Sequence, residues 1–136
     1  MGAFSEQVKH NESLLEHLEA TFPDKYFDWK VMLVFYCCIH LVKELARTNA
    51  VIIGESHFDI LNNINPQPRA GVIPTLRISK TQYDFYNDTY QYSRVARYTG
   101  ITDYAIFEAQ RKADFKICKE IYPKLKAYYI GRGVII

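Results

Sequence analysis

At 136 residues the chain has the length of one domain, able to bury roughly two-thirds of its unfolded surface. An apolar content of 49% excludes wholesale disorder, and no apolar run reaches the ~20 residues that a membrane-spanning helix needs. The net charge of +2 is divided unevenly: residues 1–68 carry five Lys/Arg against nine Asp/Glu (−4), and residues 69–136 carry twelve against six (+6). That asymmetry fits a basic face for nucleic acid or for an acidic partner, with a solvated helix face as the plain alternative.

The N-terminal stretch MGAFSEQVKHNESLLEHLE is polar and mixed in charge, so no signal peptide is expected. Glu6 stands where N-myristoylation wants Ser or Thr. Three cysteines, two of them adjacent, make no disulfide framework and fit a reduced, cytoplasmic protein.

The first helix is predicted over residues 5–20, with Phe4, Val8, Asn11, Leu15, Leu18 and Phe22 as one stripe at 3/4 spacing. Phe22-Pro23-Asp24 ends it, because the residue before proline disfavours the helical region. The central helix starts at Asp24 or Asp28, either of which serves as an N-cap, and runs to about Arg47. From Val31 to Val42 only His40 interrupts an apolar or weakly polar run, so burial on several sides is expected. Residues 49–78 are irregular apart from a short helix opened by Ser56-His57-Phe58-Asp59. Connections this long are often functional or mobile.

A third long helix is predicted from Ser79, capped by the Ser79/Gln82 pair, to the stop at Gly100. Its inner stripe is Tyr83, Tyr86, Tyr90, Ser93 and Arg97. The last helix starts at Thr102 or Asp103 and reaches about Ile130, with Ile106, Ala109, Ala113, Ile117, Ile121, Leu125 and Tyr128 as its core face. Pro123 predicts a kink or break. The apolar tail Val134-Ile135-Ile136 is expected to dock on the bundle or on a partner. The fold class is all-α: an up-and-down bundle of four long helices plus one short helix.

A few polar residues stand where a plain core would not put them. His40 lies one turn after Tyr36, and reads either as a hydrogen-bonded core histidine or as a general acid or base. His57 sits at a helix N-terminus, where the dipole favours neutral imidazole; a capping or surface role is the bland reading. Arg97 lies on the aromatic stripe, so it is either ion-paired or aimed at a phosphate, whereas Arg94 projects elsewhere and is a candidate binding residue on an exposed face. Lys112 and Lys116, with Arg111 and Lys119, form a basic stripe that reads as a solvated face or a phosphate-backbone contact. Cys37 and Cys38 project about 100° apart on a helix, unlike the spaced pairs of a zinc site, so no metal site is expected. No P-loop, Rossmann glycine pattern or nucleophile elbow occurs, and no cofactor is expected. An aromatic pocket around Tyr83, Tyr86 and Tyr90 for a small molecule or nucleotide is a weaker option.

Two separated stretches resemble a known family. FPDKYFDWKVMLVFYCCIHLVKEL resembles the Trp, Phe-Tyr and His helix of small bacterial and archaeal HEPN-like proteins, and Tyr83 to Tyr98, in the pattern YxxYxxxYxxSRVARY, resembles their second hallmark. The match covers about residues 22–60 and 80–99. The resemblance implies an antiparallel helical bundle, often dimeric, in a superfamily where many members are metal-independent ribonucleases of toxin, defence and stress systems. It also implies that Tyr36, His40, His57, Ser93, Arg97 and Tyr98 converge between helices, with His40, His57 and Arg97 catalytic. The ribonuclease signature, Arg followed by His after four to six residues, is absent. Two readings follow: an RNA-directed protein, binding or cleaving RNA without metal, or a non-catalytic adaptor or oligomerisation module. The expected partners are RNA, and a second copy or another protein from the same operon.

Overall fold

The computed structural model describes residues 2–98 and 101–136, with the backbone alone at position 98. Five helices follow one another: α1 (Ala3–Thr21), α2 (Phe27–Thr48), α3 (His57–Ile64), α4 (Lys80–Tyr98) and α5 (Tyr104–Gly131). Among the described residues there is no strand, and no helix is long and apolar enough to cross a membrane. The architecture is an all-α helical bundle. Gly100, the expected stop of α4, lies outside the described residues.

α2 is the axis. It packs against α1, α4 and α5, while α4 also touches α5 and α3. Val31, Phe35, Cys38, Leu41, Val42 and Leu45 have essentially no solvent exposure, as an all-round apolar helix requires. The three cysteines are free and buried. Burial pushes the Cys37 and Cys118 thiols up to about 12 and raises Cys38 well above the ordinary thiol value, so none is a ready nucleophile.

Neither Asp24 nor Asp28 caps α2. The N-cap is Tyr26, held in the left-handed region at φ 60° with no side-chain cap. Lys30, 1% exposed, closes the corner instead: its ammonium donates to the Phe22 carbonyl at 2.6 Å and lies 4.6 Å from the Phe27 ring centroid. Ser56, Ser79 and Asp103 do accept from the backbone N–H three residues on. The Gln82 side-chain amide oxygen is buried without a partner among the described residues, so only half of that capping box forms.

α4 turns Tyr86 and Ser93 fully inward, with Tyr83, Tyr90 and Arg97 half-buried, as its stripe predicts. α5 does not follow its predicted stripe. Its buried face is Phe107, Arg111, Phe115, Cys118, Leu125 and Tyr129, while Ile106 and Ile117 are exposed. The helix carries two apolar stripes, and the one with two phenylalanines removes more apolar area from water. Arg111 therefore leaves the basic stripe, pairing with Asp114 at 3.0 Å above the Phe107 ring. α5 continues through Pro123.

The irregular segment is pinned rather than loose. Leu76 and Ile78 donate back to Asn63 and Ile64, and Thr75 and the Asn63 amide donate to the carbonyls of Ile52 and Ile53. Val134 is buried, and the Arg132 guanidinium donates to the Arg77 carbonyl, so the tail docks on the bundle. Ala50, exposed after α2, sits at φ 54°. An L-residue there costs about 1–2 kcal/mol, partly offset in glycine by its larger unfolded-state entropy. Ala50→Gly is thus expected to raise stability by about 0.5–1 kcal/mol, measured as a higher urea midpoint at unchanged slope.

Candidate functional site

His57 opens α3 because Ser56 caps that helix, the Ser56 hydroxyl accepting from the Asp59 N–H. Gly54 sets its approach: φ is 86°, and a Cβ would lie 2.5 Å from the Asp59 Cβ. Only glycine fits there. The imidazole then lies between aromatic rings from two other helices, 4.5 Å from Tyr90 of α4 and 5.3 Å from Phe35 of α2. Its Nδ1 is buried without a hydrogen-bond partner among the described residues. Burial lowers the His57 pKa, and the charges of Arg97 and Lys43 lower it further. Arg97 of α4 and Lys43 of α2 therefore both face His57 electrostatically.

His40, one turn before Lys43, stacks on Phe4 of α1 at 6.1 Å. Burial lowers its pKa first, and Lys43 adds to the effect. Its Nδ1 is also buried and unpartnered among the described residues. Lys43 is the element that joins the two histidines. Lys43 lies three residues after His40, so the two share one face of α2. The carboxylate paired with Lys43 is Glu55, at 3.2 Å and 92% exposed. A hollow of about 200 Å³ beside it is lined by Phe4, Lys43, Arg47 and Glu55, among others.

The other expected residues are distributed as follows. Ser93 is fully buried and its hydroxyl has no partner among the described residues. Tyr36 lines an apolar groove with Trp29 and Leu33 on α2. Arg94 is exposed, and the Tyr98 side chain lies outside the described residues. Lys112 and Lys116 line a separate hollow with Phe27 and Phe115. Residue 27 is sixteen positions before Lys43, roughly 24 Å along α2. Lys112 reaches Asp24 at 3.8 Å and Lys119 pairs with Glu19, so the basic stripe is partly neutralised by the acidic half of the chain. Among the described residues no group of three His, Cys, Asp or Glu side chains is placed to hold a metal ion.

The Lys43 ammonium thus acts on both imidazoles and the Arg97 guanidinium on His57 alone, and burial together with these charges keeps both histidines below the usual pKa. Neutral imidazoles next to fixed cations accept protons only at lower pH, or when an anion enters. The folded pKa of both histidines lies below the unfolded value, about 6.5, so the unfolded chain takes up protons first on acidification. Stability is expected to be flat above about pH 6.5 and to fall as pH drops from there through the lowered folded values. Urea titrations at stepped pH check this; the slope becomes shallower in His57→Asn.

The chain matches no known family model, no curated protein and no solved structure.

Proposed function

We propose that the protein is a HEPN-like, RNA-directed bundle that takes an RNA phosphate against Arg97 and Lys43, beside His57 and His40. The reading is supported by the placing of His57 at the start of α3 between Tyr90 of α4 and Phe35 of α2, where burial first, and then the charges of Arg97 and Lys43, lower its pKa. A guanidinium and an ammonium answer phosphate charge, and a neutral imidazole can take a proton. In metal-independent cleavage, His57 accepts the proton of the ribose 2′-hydroxyl and the O2′–phosphorus bond forms. The bond from phosphorus to the 5′ oxygen breaks, and that oxygen takes a proton from water. Arg97 stabilises the charge gathered on the phosphorane. The products are a 2′,3′-cyclic phosphate and a 5′-hydroxyl. Such an activity fits a cytoplasmic toxin or defence-type role.

The test incubates the protein with tRNA and total RNA in EDTA, beside His57→Ala, and reads RNA binding and the chemistry of the new ends. Cyclic phosphate ends that vanish in the variant support cleavage. Binding without cleavage supports an RNA-binding relative. Neither binding nor cleavage removes the reading. The alternative, a non-catalytic interaction module, is favoured by a different observation, the apolar groove between α1 and α2.

A further inference from the structure

α5 leaves its second apolar stripe in water. Ile106, Ala109, Ala113 and Ile117 follow one another at 3/4 spacing, and all four are exposed, the isoleucines to 57% and 40%. Ile121 is half-buried and Leu125 fully buried, so the stripe enters the core only in its later turns. Lysines run down one flank of the exposed part. Lys112, Lys116 and Lys119 stand with Ala109 and Ala113 around a hollow of about 420 Å³ that has no carboxylate in its lining. Asp24 reaches Lys112 only at 3.8 Å and its side chain is 84% exposed, Lys119 pairs with Glu19, and Lys116 makes no ion pair among the described residues. The result is a neutral aliphatic ridge, about 17 Å long at 1.5 Å per residue, with a row of ammonium groups beside it.

We infer that this face of α5 docks an acidic amphipathic helix of a partner protein, its apolar side on the ridge and a row of carboxylates toward Lys112, Lys116 and Lys119. Shape and charge both select that occupant. The ridge is three helical turns long, ends in isoleucines and dips at two alanines, which lets a second helix approach to an interaxial distance of about 8 Å. The lysine row has one sign and lies on one side, so it orients an acidic partner and repels an antiparallel copy of α5, whose lysines would fall on the same flank. Other surfaces fit worse. The ridge gives nucleic-acid bases no ring to stack on and no hydrogen-bond partner. A bilayer surface calls for bulky Trp, Phe or Leu on the apolar face, and half of this ridge is alanine. The inference holds with or without RNA at Arg97 and His57, which belong to α4 and α3.

The probe is a synthetic peptide of about 18 residues, ~27 Å as a helix, with leucines at 3/4 spacing and glutamates along both flanks. A second peptide keeps the leucines and carries lysines in place of the glutamates. Isotope-labelled protein is titrated with each and followed by NMR. The acidic helix is expected to shift the amide signals of residues 105–120 and to leave those of α3 in place, with a Kd of about 10 µM that weakens as salt is added. The basic helix should bind at least ~10-fold more weakly. Ile117→Asp, and Lys112→Glu with Lys116→Glu, all at exposed positions, should each weaken the acidic helix at least ~10-fold with unchanged helicity, while Ile117→Leu keeps it. No binding of the acidic helix, equal binding of the two peptides, or binding that survives both sets of variants overturns the inference. Shifts of the same amides by single-stranded RNA or by phosphatidylglycerol vesicles, with none from the acidic helix, overturn it in favour of a phosphate contact or a lipid surface.

Discussion

In Arg97→Ala, affinity for single-stranded RNA is expected to fall about 10- to 100-fold, the loss of one charge-assisted guanidinium–phosphate contact. The salt dependence of binding should become shallower by about one counterion. Any cleavage should fall about 10²–10³-fold, as when one donor to a developing oxyanion is removed. Arg97→Lys restores charge without the planar fork and recovers only part of the affinity. Arg94→Ala is the control, since Arg94 is exposed three residues earlier on the same helix. Fluorescence anisotropy across a salt series reads all three variants. Equal losses in Arg94→Ala and Arg97→Ala would reduce the effect to general surface charge and remove the proposed site.

The largest effect on stability is expected at Phe35. Its side chain has no solvent exposure and its ring lies within 5.5 Å of Tyr86, Tyr90 and His57. Phe35→Ala leaves a cavity where three helices meet and is expected to cost about 3–5 kcal/mol, a large part of an ordinary domain's 5–15 kcal/mol. Phe35→Leu keeps most of the volume and costs about 1–1.5 kcal/mol. Urea denaturation measures both. The same cavity opens the wall behind His57, whose pKa is lowered mainly by burial. A proton NMR titration of Phe35→Leu should therefore show that pKa moving back toward about 6.5. An unmoved His57 titration would separate the core from the pocket.

These two residues also show what could be read from the sequence. Phe35 lies in a run too apolar for any solvent-facing role, and periodicity alone places Tyr86, Tyr90, Ser93 and Arg97 on one inward stripe. Helix starts were legible wherever a short polar side chain caps them, as at Ser56 and Asp103. They were not legible at Tyr26, where a corner is closed by a buried lysine eight residues from the carbonyl it holds. α5 was misread because two apolar stripes compete on one helix, and only the neighbours decide which is buried. Residue type singles out Arg97 and the histidines, whereas the effect of Lys43 on His57 depends on α3 folding back beside α2 and is not visible in the sequence. Tyr36 lines the apolar groove with Trp29 and Leu33, and its spacing from His40 alone does not say which groove it borders.

Pro123 carries a consequence for how the molecule comes apart. Proline has no amide hydrogen, so the α5 ladder lacks the bond that would run from residue 123 to the Lys119 carbonyl. The helix is continuous in shape but not in cooperativity. Beyond that point, Leu125, Tyr129 and Val134 anchor the last segment to the core, Arg132 holds the Arg77 carbonyl, and the Tyr128 hydroxyl accepts from the Ser79 N–H. The C-terminal end of the chain thus fastens the entry to α4. Fraying that starts at the proline would release two distant stretches of sequence together, so residues 77–79 and 124–136 are expected to open as one unit in hydrogen exchange although some fifty positions separate them.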